Sequence, residues 1–109
     1  IIGFNNAVDV LKLANTNKII ITPGIVDGGS HLKELNTEAA KKLTEVDYVL
    51  LVDNQASKYI QDYFDNAGFT NYQVVKSFKQ AYNIVLKESK SKDITLLIEN
   101  DLPDNYLRR

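Results

Sequence analysis

Hydrophobic and polar positions follow two different periods along the chain. Apolar side chains recur at helical spacing in four segments, and short apolar runs rich in β-branched residues follow each of them. The first helical segment is predicted at residues 3–15, and the others begin near Leu32, Ala56 and Phe78. The apolar runs predict strands at residues 18–22, 47–52, 72–76 and 94–98.

The order of these elements predicts the fold. Helices and strands alternate, and short strands that are apolar on both faces are typical of a parallel sheet covered by helices on each side. We therefore predict one α/β domain, a Rossmann-like three-layer α/β/α fold with a mainly parallel sheet of at least four strands. Ligands of such sheets bind beyond the carboxyl ends of the strands. The candidate binding loops are thus residues 22–30, 53–55 and 99–106.

Several residues at the predicted helix ends have the chemistry of caps. Ser30 is predicted to cap the second helix, and Asp53 or Asn54 the third. Gly68 falls where the end of a helix favours a left-handed residue, and Ser77 begins a capping-box sequence. Aromatic residues lie mainly on the helical stripes, and we predict that they form core rather than a base-stacking platform. The residues concerned are Tyr59, Tyr63, Phe64, Phe78 and Tyr82.

Composition narrows the classes of function. The 109 residues carry 13 basic and 14 acidic side chains, spread along the chain, which argues against a nucleic-acid partner. No cysteine is present, so disulfides and thiolate chemistry are excluded, and this fits a cytoplasmic location. No apolar run approaches the roughly 18 residues of a membrane span. The chain lacks a signal-like start and any methionine, so we expect a piece of a longer protein.

The segment at residues 21–30, ITPGIVDGGS, follows the first predicted strand. Gly24 and Gly29 have the spacing of a P-loop, but the lysine that reaches the phosphates is missing and Asp27 would repel them. Three interpretations stay open. The segment is a phosphate loop, or a tight turn in which glycines take positive φ, or a substrate loop. In the last case its carboxylate recognises a cation, such as an amine, or braces a neighbouring domain.

Two other groups could carry chemistry. Glu99, Asp101 and Asp104 stand close together after the last strand, and acidic oxygens bind Mg²⁺ or Ca²⁺. Their spacing is not that of a calcium loop, and such residues commonly cap turns. His31, the only histidine, could be a general base. It has neither a cysteine nucleophile nor a second histidine to work with, which favours a surface position. We predict no catalytic residue and no metal ligand.

The order of several motifs resembles the C-terminal domain of the Mur ligases. The stretches that carry the resemblance are GFNNAVDVLK, NKIIITPGIVDGG, VDYVLLVDNQASKYI and ITLLIENDLPDNY, with Asn36 between the second and the third. Together they cover essentially the whole chain, and they are most similar to the branch that includes UDP-N-acetylmuramoyl-tripeptide–D-alanyl-D-alanine ligase. Family members begin this domain with N-P-x-[GS]-F-x-x-A-L-D-x-L. The chain fits that motif at Gly3, Phe4, Val8, Asp9 and Leu11.

Several departures place the chain in a divergent branch of that family. Residues 23–29 align with the family motif G-D-M-x-E-L-G, with Asp27 in place of the glutamate. Asn36 stands where a histidine often follows. Residues 99–102 occupy the place of the family's K-G-S-R, and Ile1 stands where proline would fall.

The resemblance implies that residues 1–109 are a single substrate-binding domain of a three-domain bacterial ligase of peptidoglycan synthesis. The family uses ATP to activate a carboxylate as an acyl phosphate, which an incoming amine attacks. ATP and Mg bind mainly to the central domain, which the chain lacks, so the chain alone is expected to hold no cofactor and to catalyse nothing. Its part is to close over its partner, the central domain, and to help bind the incoming amino acid or dipeptide. The residues expected to do so are Thr22, Gly24, Asp27, Gly28, Gly29, Asn36, Asn100 and Asp101.

A stand-alone α/β ligand-binding or receiver-like regulatory module is the alternative. Asp53 ends the second predicted strand, where a receiver could carry its phosphoacceptor. The first strand, however, ends in Thr22-Pro23 instead of the paired acids that a receiver places there. A flavodoxin-like module needs a hydroxyl-rich loop at the same point, and Thr22 and Ser30 are too few and too far apart.

Overall fold

The computed structural model describes residues 1–99, in which helices and strands alternate. The helices are α1 Ile2–Leu11, α2 Leu32–Leu43, α3 Gln55–Ala67 and α4 Phe78–Glu88, and a short 3-10 turn, Gly29–His31, precedes α2. The strands are β1 Asn17–Thr22, β2 Tyr48–Val52, β3 Tyr72–Val75 and β4 Ile94–Ile98.

The four strands form one parallel sheet in the order β3-β2-β1-β4. Ile20 of β1 lies beside Val49 of β2 on one side and Leu97 of β4 on the other, so β1 and β2 are the central strands. This order is that of the first four strands of the Rossmann fold. The prediction of an α/β domain with a parallel sheet of at least four strands is confirmed.

Helices cover both faces of the sheet, but unequally. α1, α2 and α3 pack on one face, where Phe4, Ala40 and Phe64 meet Ile20 and Leu51 in a single buried cluster. On the other face α4 is the one helix within residues 1–99, and its buried side chains meet alternate residues of β1, β2 and β3. The members of that second cluster are Ile19, Ile21, Leu50, Val52, Val75, Ala81 and Val85.

The residues of α1 that fit the Mur-ligase motif hold this helix against the rest of the domain. Phe4, Val8 and Leu11 form the buried stripe of α1. Asp9 accepts a hydrogen bond from Lys42 of α2 at 2.5 Å, and this bond holds the pKa of Asp9 below its usual value. These contacts dock α1 on α2. α1 ends at Leu11, earlier than predicted.

Most predicted caps are confirmed. Asn54 caps α3, with Ser57 completing a capping box, and Gly68 ends that helix with φ of 75°. The side chain of Ser77 accepts a hydrogen bond at the start of α4. The prediction for Ser30 is wrong, because the 3-10 turn places this residue ahead of the helix and α2 has no side-chain cap.

The prediction that helix-borne aromatic residues form core holds for Phe64 and fails for Tyr82. Phe64 is fully buried, and its ring centroid lies 4.7 Å from that of Phe69 and 5.0 Å from that of Tyr72. Tyr82 is 41% exposed and stacks on Phe78. It lies on a flank of α4, and no second helix of the described residues 1–99 lies on that face of the sheet to bury this flank.

Replacing Phe64 by alanine is expected to lower the free energy of unfolding by about 3–5 kcal/mol, because the change opens a cavity between α3 and the sheet. Chemical denaturation monitored by circular dichroism measures the loss. Tyr82→Ala is the matched control and is expected to cost clearly less, because its ring is already part exposed. Equal losses in the two variants would contradict this description of the core.

Candidate functional site

The strand order places a candidate binding site at the carboxyl edge of the sheet. β1 lies between β2 and β4. The chain leaves β1 toward β2 and β3 on one side, and β4 is added on the other side of β1, so the strand order reverses direction at β1. Ligands of open α/β sheets bind at such a switch point, beyond the carboxyl ends of the strands. The glycine-containing loop, residues 23–28, begins at the end of β1. Glu99 follows β4 and donates its backbone N–H to the carbonyl of Ile21 at 3.0 Å.

Asn36 attaches this loop to α2. Its side chain is fully buried, and Oδ1 accepts a hydrogen bond from the N–H of Ile25 at 2.8 Å. Nδ2 donates to the carbonyls of Ile25, at 3.0 Å, and of Leu32, at 2.8 Å. One amide therefore satisfies both backbone groups of Ile25, which would otherwise lose their partners when the loop is buried.

Asn54 holds the same loop from the other side. Its Nδ2 donates to the carbonyl of Pro23 at 2.7 Å and to that of Val52 at 2.9 Å. Its Oδ1 accepts from the N–H of Ala56 at 2.7 Å, which caps α3. The segment 23–25 is thus bonded to α2 and to the start of α3 at once, which restricts its conformation.

Gly24 is the residue that allows this close approach. Its φ of 85° lies in the left-handed region, which a residue with a Cβ rarely adopts. A Cβ built there would stand 2.6 Å from Oδ1 of Asn36 and 3.0 Å from Cδ1 of Ile60. Gly29 also has positive φ, 56°, but the space around it is open. The tight-turn interpretation of the loop therefore has a physical basis.

The predicted substrate-binding residues divide into two groups. Thr22, Gly24 and Asn36 are buried, and Oγ1 of Thr22 accepts a hydrogen bond from the N–H of Gly24. Through these contacts they position the loop. Asp27 and Gly29 are exposed, and Gly28 is partly so. Their contact with a substrate stays a prediction, and Asn100 and Asp101 lie outside the described residues.

Exposed charges surround the loop. Asp53, at the end of β2, forms an ion pair with Lys58 at 3.5 Å. His31 is confirmed as a surface residue, with a side chain 73% exposed and Nδ1 3.9 Å from a carboxylate oxygen of Glu34. The exposed carboxylate of Asp27 could bind a cationic group such as an ammonium. Within residues 1–99, no three histidine, aspartate or glutamate side chains are grouped to hold a metal ion.

The second function of Asn54 was missed by sequence reasoning. An asparagine between a strand and a helix signals a cap, and this prediction is right. Its bond to Pro23, 31 residues away, has no local signal. It arises because β1 and β2 are neighbours, which brings their carboxyl-end loops together.

Comparisons of the chain with protein-family models, curated proteins and solved structures find no match. The resemblance to Mur ligases therefore stays a prediction, and the α/β fold is what the structure establishes. None of the helices within residues 1–99 is both long and apolar enough to cross a membrane.

Replacing Gly24 by alanine is expected to destabilise the domain more than replacing Gly29. Positive φ costs a non-glycine residue about 1–2 kcal/mol at either position, and only at Gly24 does the new Cβ also collide with Asn36 and Ile60. Thermal and chemical unfolding of both variants measure the difference. If Gly24→Ala proves no more costly than Gly29→Ala, the close approach of the loop to α2 and α3 is wrong.

Proposed function

We propose that the chain is the C-terminal domain of an ATP-dependent, amide-forming ligase of the Mur type, which acts in the cytoplasm in bacterial peptidoglycan synthesis. In this proposal the domain helps bind the incoming amino acid or dipeptide, and it closes over a central domain that holds ATP and Mg. Two lines of argument support it. The motif order resembles that family along the chain, and the carboxyl edge carries a loop suited to the task.

The observation that carries the proposal is the double attachment of the loop. Asn36 and Asn54 bond to the backbone of Ile25 and Pro23, so the loop that follows is anchored at its start. A binding group works best on a supported backbone, because less conformational freedom is lost when the ligand arrives. Asp27 stands two residues after this anchor and is exposed.

The chemistry of the proposed role follows from charge. An amino acid or dipeptide carries an ammonium group before it reacts, and a carboxylate is its natural partner. Asp27 would hold that group at the edge of the sheet, and closure against the central domain would exclude water from the acyl phosphate. The residues of this chain would thus orient the amine, while the phosphate chemistry would take place on the other domain.

Asp27→Ala, made in a full-length ligase that carries this domain, is expected to raise the Michaelis constant for the amine about tenfold or more. A hydrogen bond to a charged group contributes about 1.5–3 kcal/mol, and each 1.4 kcal/mol is about tenfold in affinity. Steady-state kinetics with varied amine measure the effect. Glu38→Ala, another exposed acidic residue, is the control and should change nothing. If Asp27→Ala leaves both the Michaelis constant and the turnover rate unchanged, the loop is only a turn.

A stand-alone α/β ligand-binding module is the second candidate. The exposed Asp53 at the end of β2 is the feature that favours it. The receiver-like version loses support, because flavodoxin-like and receiver folds place β3 beside β1, whereas the described strands have β3 beside β2.

The domain assignment predicts what the isolated chain can do. Incubated with ATP, Mg and a mixture of amino acids and dipeptides, it is expected to release no phosphate above the background rate, since the proposed ATP site belongs to another domain. A phosphate-release assay measures this, with heat-denatured protein as the blank. Sustained turnover by the purified chain would refute the domain assignment.

A further inference from the structure

A cavity of about 360 Å³ lies between α4 and the amino ends of β1, β2 and β3. It is lined by Asn17 at the start of β1, by Tyr48 at the start of β2 and by Asn71, which directly precedes β3. Ile84 and Glu88, near the end of α4, line it from the helix side. The cavity is therefore at the opposite edge of the sheet from the loop that follows β1, and it uses no residue of that loop.

The face of the sheet under α4 changes from apolar to polar toward this edge. Alternate residues of a strand share one face, and on this face Asn17, Tyr48 and Gln73 each stand two residues before a buried apolar residue of the same strand. An apolar base with a polar rim is the usual composition of a small-molecule site. The fully or almost fully buried residues toward the carboxyl ends are Ile21, Leu50, Val52 and Val75.

The polar side chains at the cavity have hydrogen-bonding capacity that no residue within 1–99 uses. In that range neither the hydroxyl of Tyr48 nor the amides of Asn71 and Gln73 bond to another residue. Nδ2 of Asn17 makes one long bond, 3.5 Å, to the carbonyl of Asp93. A carboxamide both donates and accepts, and a hydroxyl can do either. The cavity can therefore match a ligand that both donates and accepts hydrogen bonds.

The charges around the cavity are compensated within the protein. Oδ2 of Asp47 accepts a hydrogen bond from the backbone N–H of Lys18 at 2.8 Å and lies 3.6 Å from its Nζ. Glu88 pairs with Lys92 at 3.2 Å. An anionic ligand would meet two carboxylates, and a cationic ligand would compete with a lysine at each of them. This distribution of charge favours an uncharged ligand.

We propose that the cavity binds an uncharged aromatic heterocycle of the nucleobase type, as a free base or a nucleoside. Its apolar walls are aliphatic, with Ile19 and Leu50 on the sheet and Ile84 on the helix. A flat ring can lie between them, since proteins hold bases by stacking on apolar or aromatic side chains and by hydrogen bonds along the ring edge. The volume is within the range of small-molecule sites, about 300–1,000 Å³.

The same groups distinguish this ligand from others of similar size. Asn71, Gln73 and the hydroxyl of Tyr48 would bond to the ring edge. A sugar carries hydroxyls around its whole rim, and those facing the aliphatic walls would lose their partners. A hydrocarbon ring would fill the apolar part and leave the amides unused. The proposal is independent of the ligase assignment, because the two sites share no residue.

The test titrates the whole 109-residue chain with adenosine, guanosine, cytidine and uridine, followed by ¹⁵N–¹H spectra. We expect at least one of them to bind at millimolar concentration or below. The amide shifts are expected at the starts of β1, β2 and β3 and at the end of α4. Methyl glucoside, benzyl alcohol, benzylamine and benzoate are the comparison probes, and each is expected to bind more weakly than the best nucleoside.

Two variants test the residues named. Asn71→Leu/Gln73→Leu is expected to weaken nucleoside binding at least tenfold, because two hydrogen bonds to the ring edge are lost. Tyr48→Phe should weaken it about three- to tenfold and leave the free energy of unfolding nearly unchanged, since the hydroxyl has no partner within residues 1–99. The control Gln55→Leu/Asn66→Leu makes the same chemical change at exposed positions of α3 and should not alter the affinity. Circular dichroism verifies that each variant is folded.

Several outcomes would overturn the proposal. One is tighter binding of any comparison probe than of every nucleoside, since this would assign the cavity to a sugar, an apolar ring or an ion. Shifts that map to the carboxyl edge, or no nucleoside binding at millimolar concentration, would do the same. So would an equal affinity of the Asn71→Leu/Gln73→Leu variant and the α3 control.

Discussion

The central pair of parallel strands, β1 and β2, is the constraint on which the rest of the structure depends. Ile20, Ile21, Leu50 and Leu51 are all fully buried, on alternating faces of the sheet. A strand buried on both faces can satisfy its backbone only through its neighbours in the sheet. Polar side chains on these two strands are consequently confined to the strand ends, and the chain that follows β2 at the carboxyl edge carries the exposed charge of Asp53.

Asn36 and Asn54 supply hydrogen-bond partners to the backbone of the loop at this edge. The chain leaving β1 must turn sharply to reach α2, and the segment 23–25 is partly buried in doing so. An asparagine amide both donates and accepts, so Asn36 can match the N–H and the carbonyl of one residue, Ile25. A carboxylate can only accept. The loop is therefore supported from within the domain, and Asp27 is left free to face solvent. This arrangement is what makes a binding role for the loop physically reasonable.

The unequal cover of the sheet has a different consequence. Three helices share one face, and they bury the aromatic stripe of α3 completely at Phe64. Within residues 1–99, α4 is the one helix on the other face, and its Tyr82 and Leu86 remain 41% and 47% exposed. The polar carboxyl edge with its supported loop is the surface that suits a small charged ligand.

The local sequence pattern was sufficient to predict the helices, the strands and most of the helix caps. The strand at residues 94–98 was predicted with its observed bounds, and Asn54 and Gly68 were recognised as caps, because periodicity and capping depend on residues close together in the chain. The meeting of the strands' carboxyl ends at one edge also followed from the βαβ order, since parallel strands end together.

The contacts that give the site its form depended on the tertiary structure. The bond from Asn54 to Pro23 joins residues 31 apart. The exposure of Tyr82 reflects which strands lie under α4. The sequence by itself determined which segments are helices and strands and in what order they occur. Only the folded chain decided which side chains support the loop and which remain exposed, because these depend on packing between segments distant in sequence.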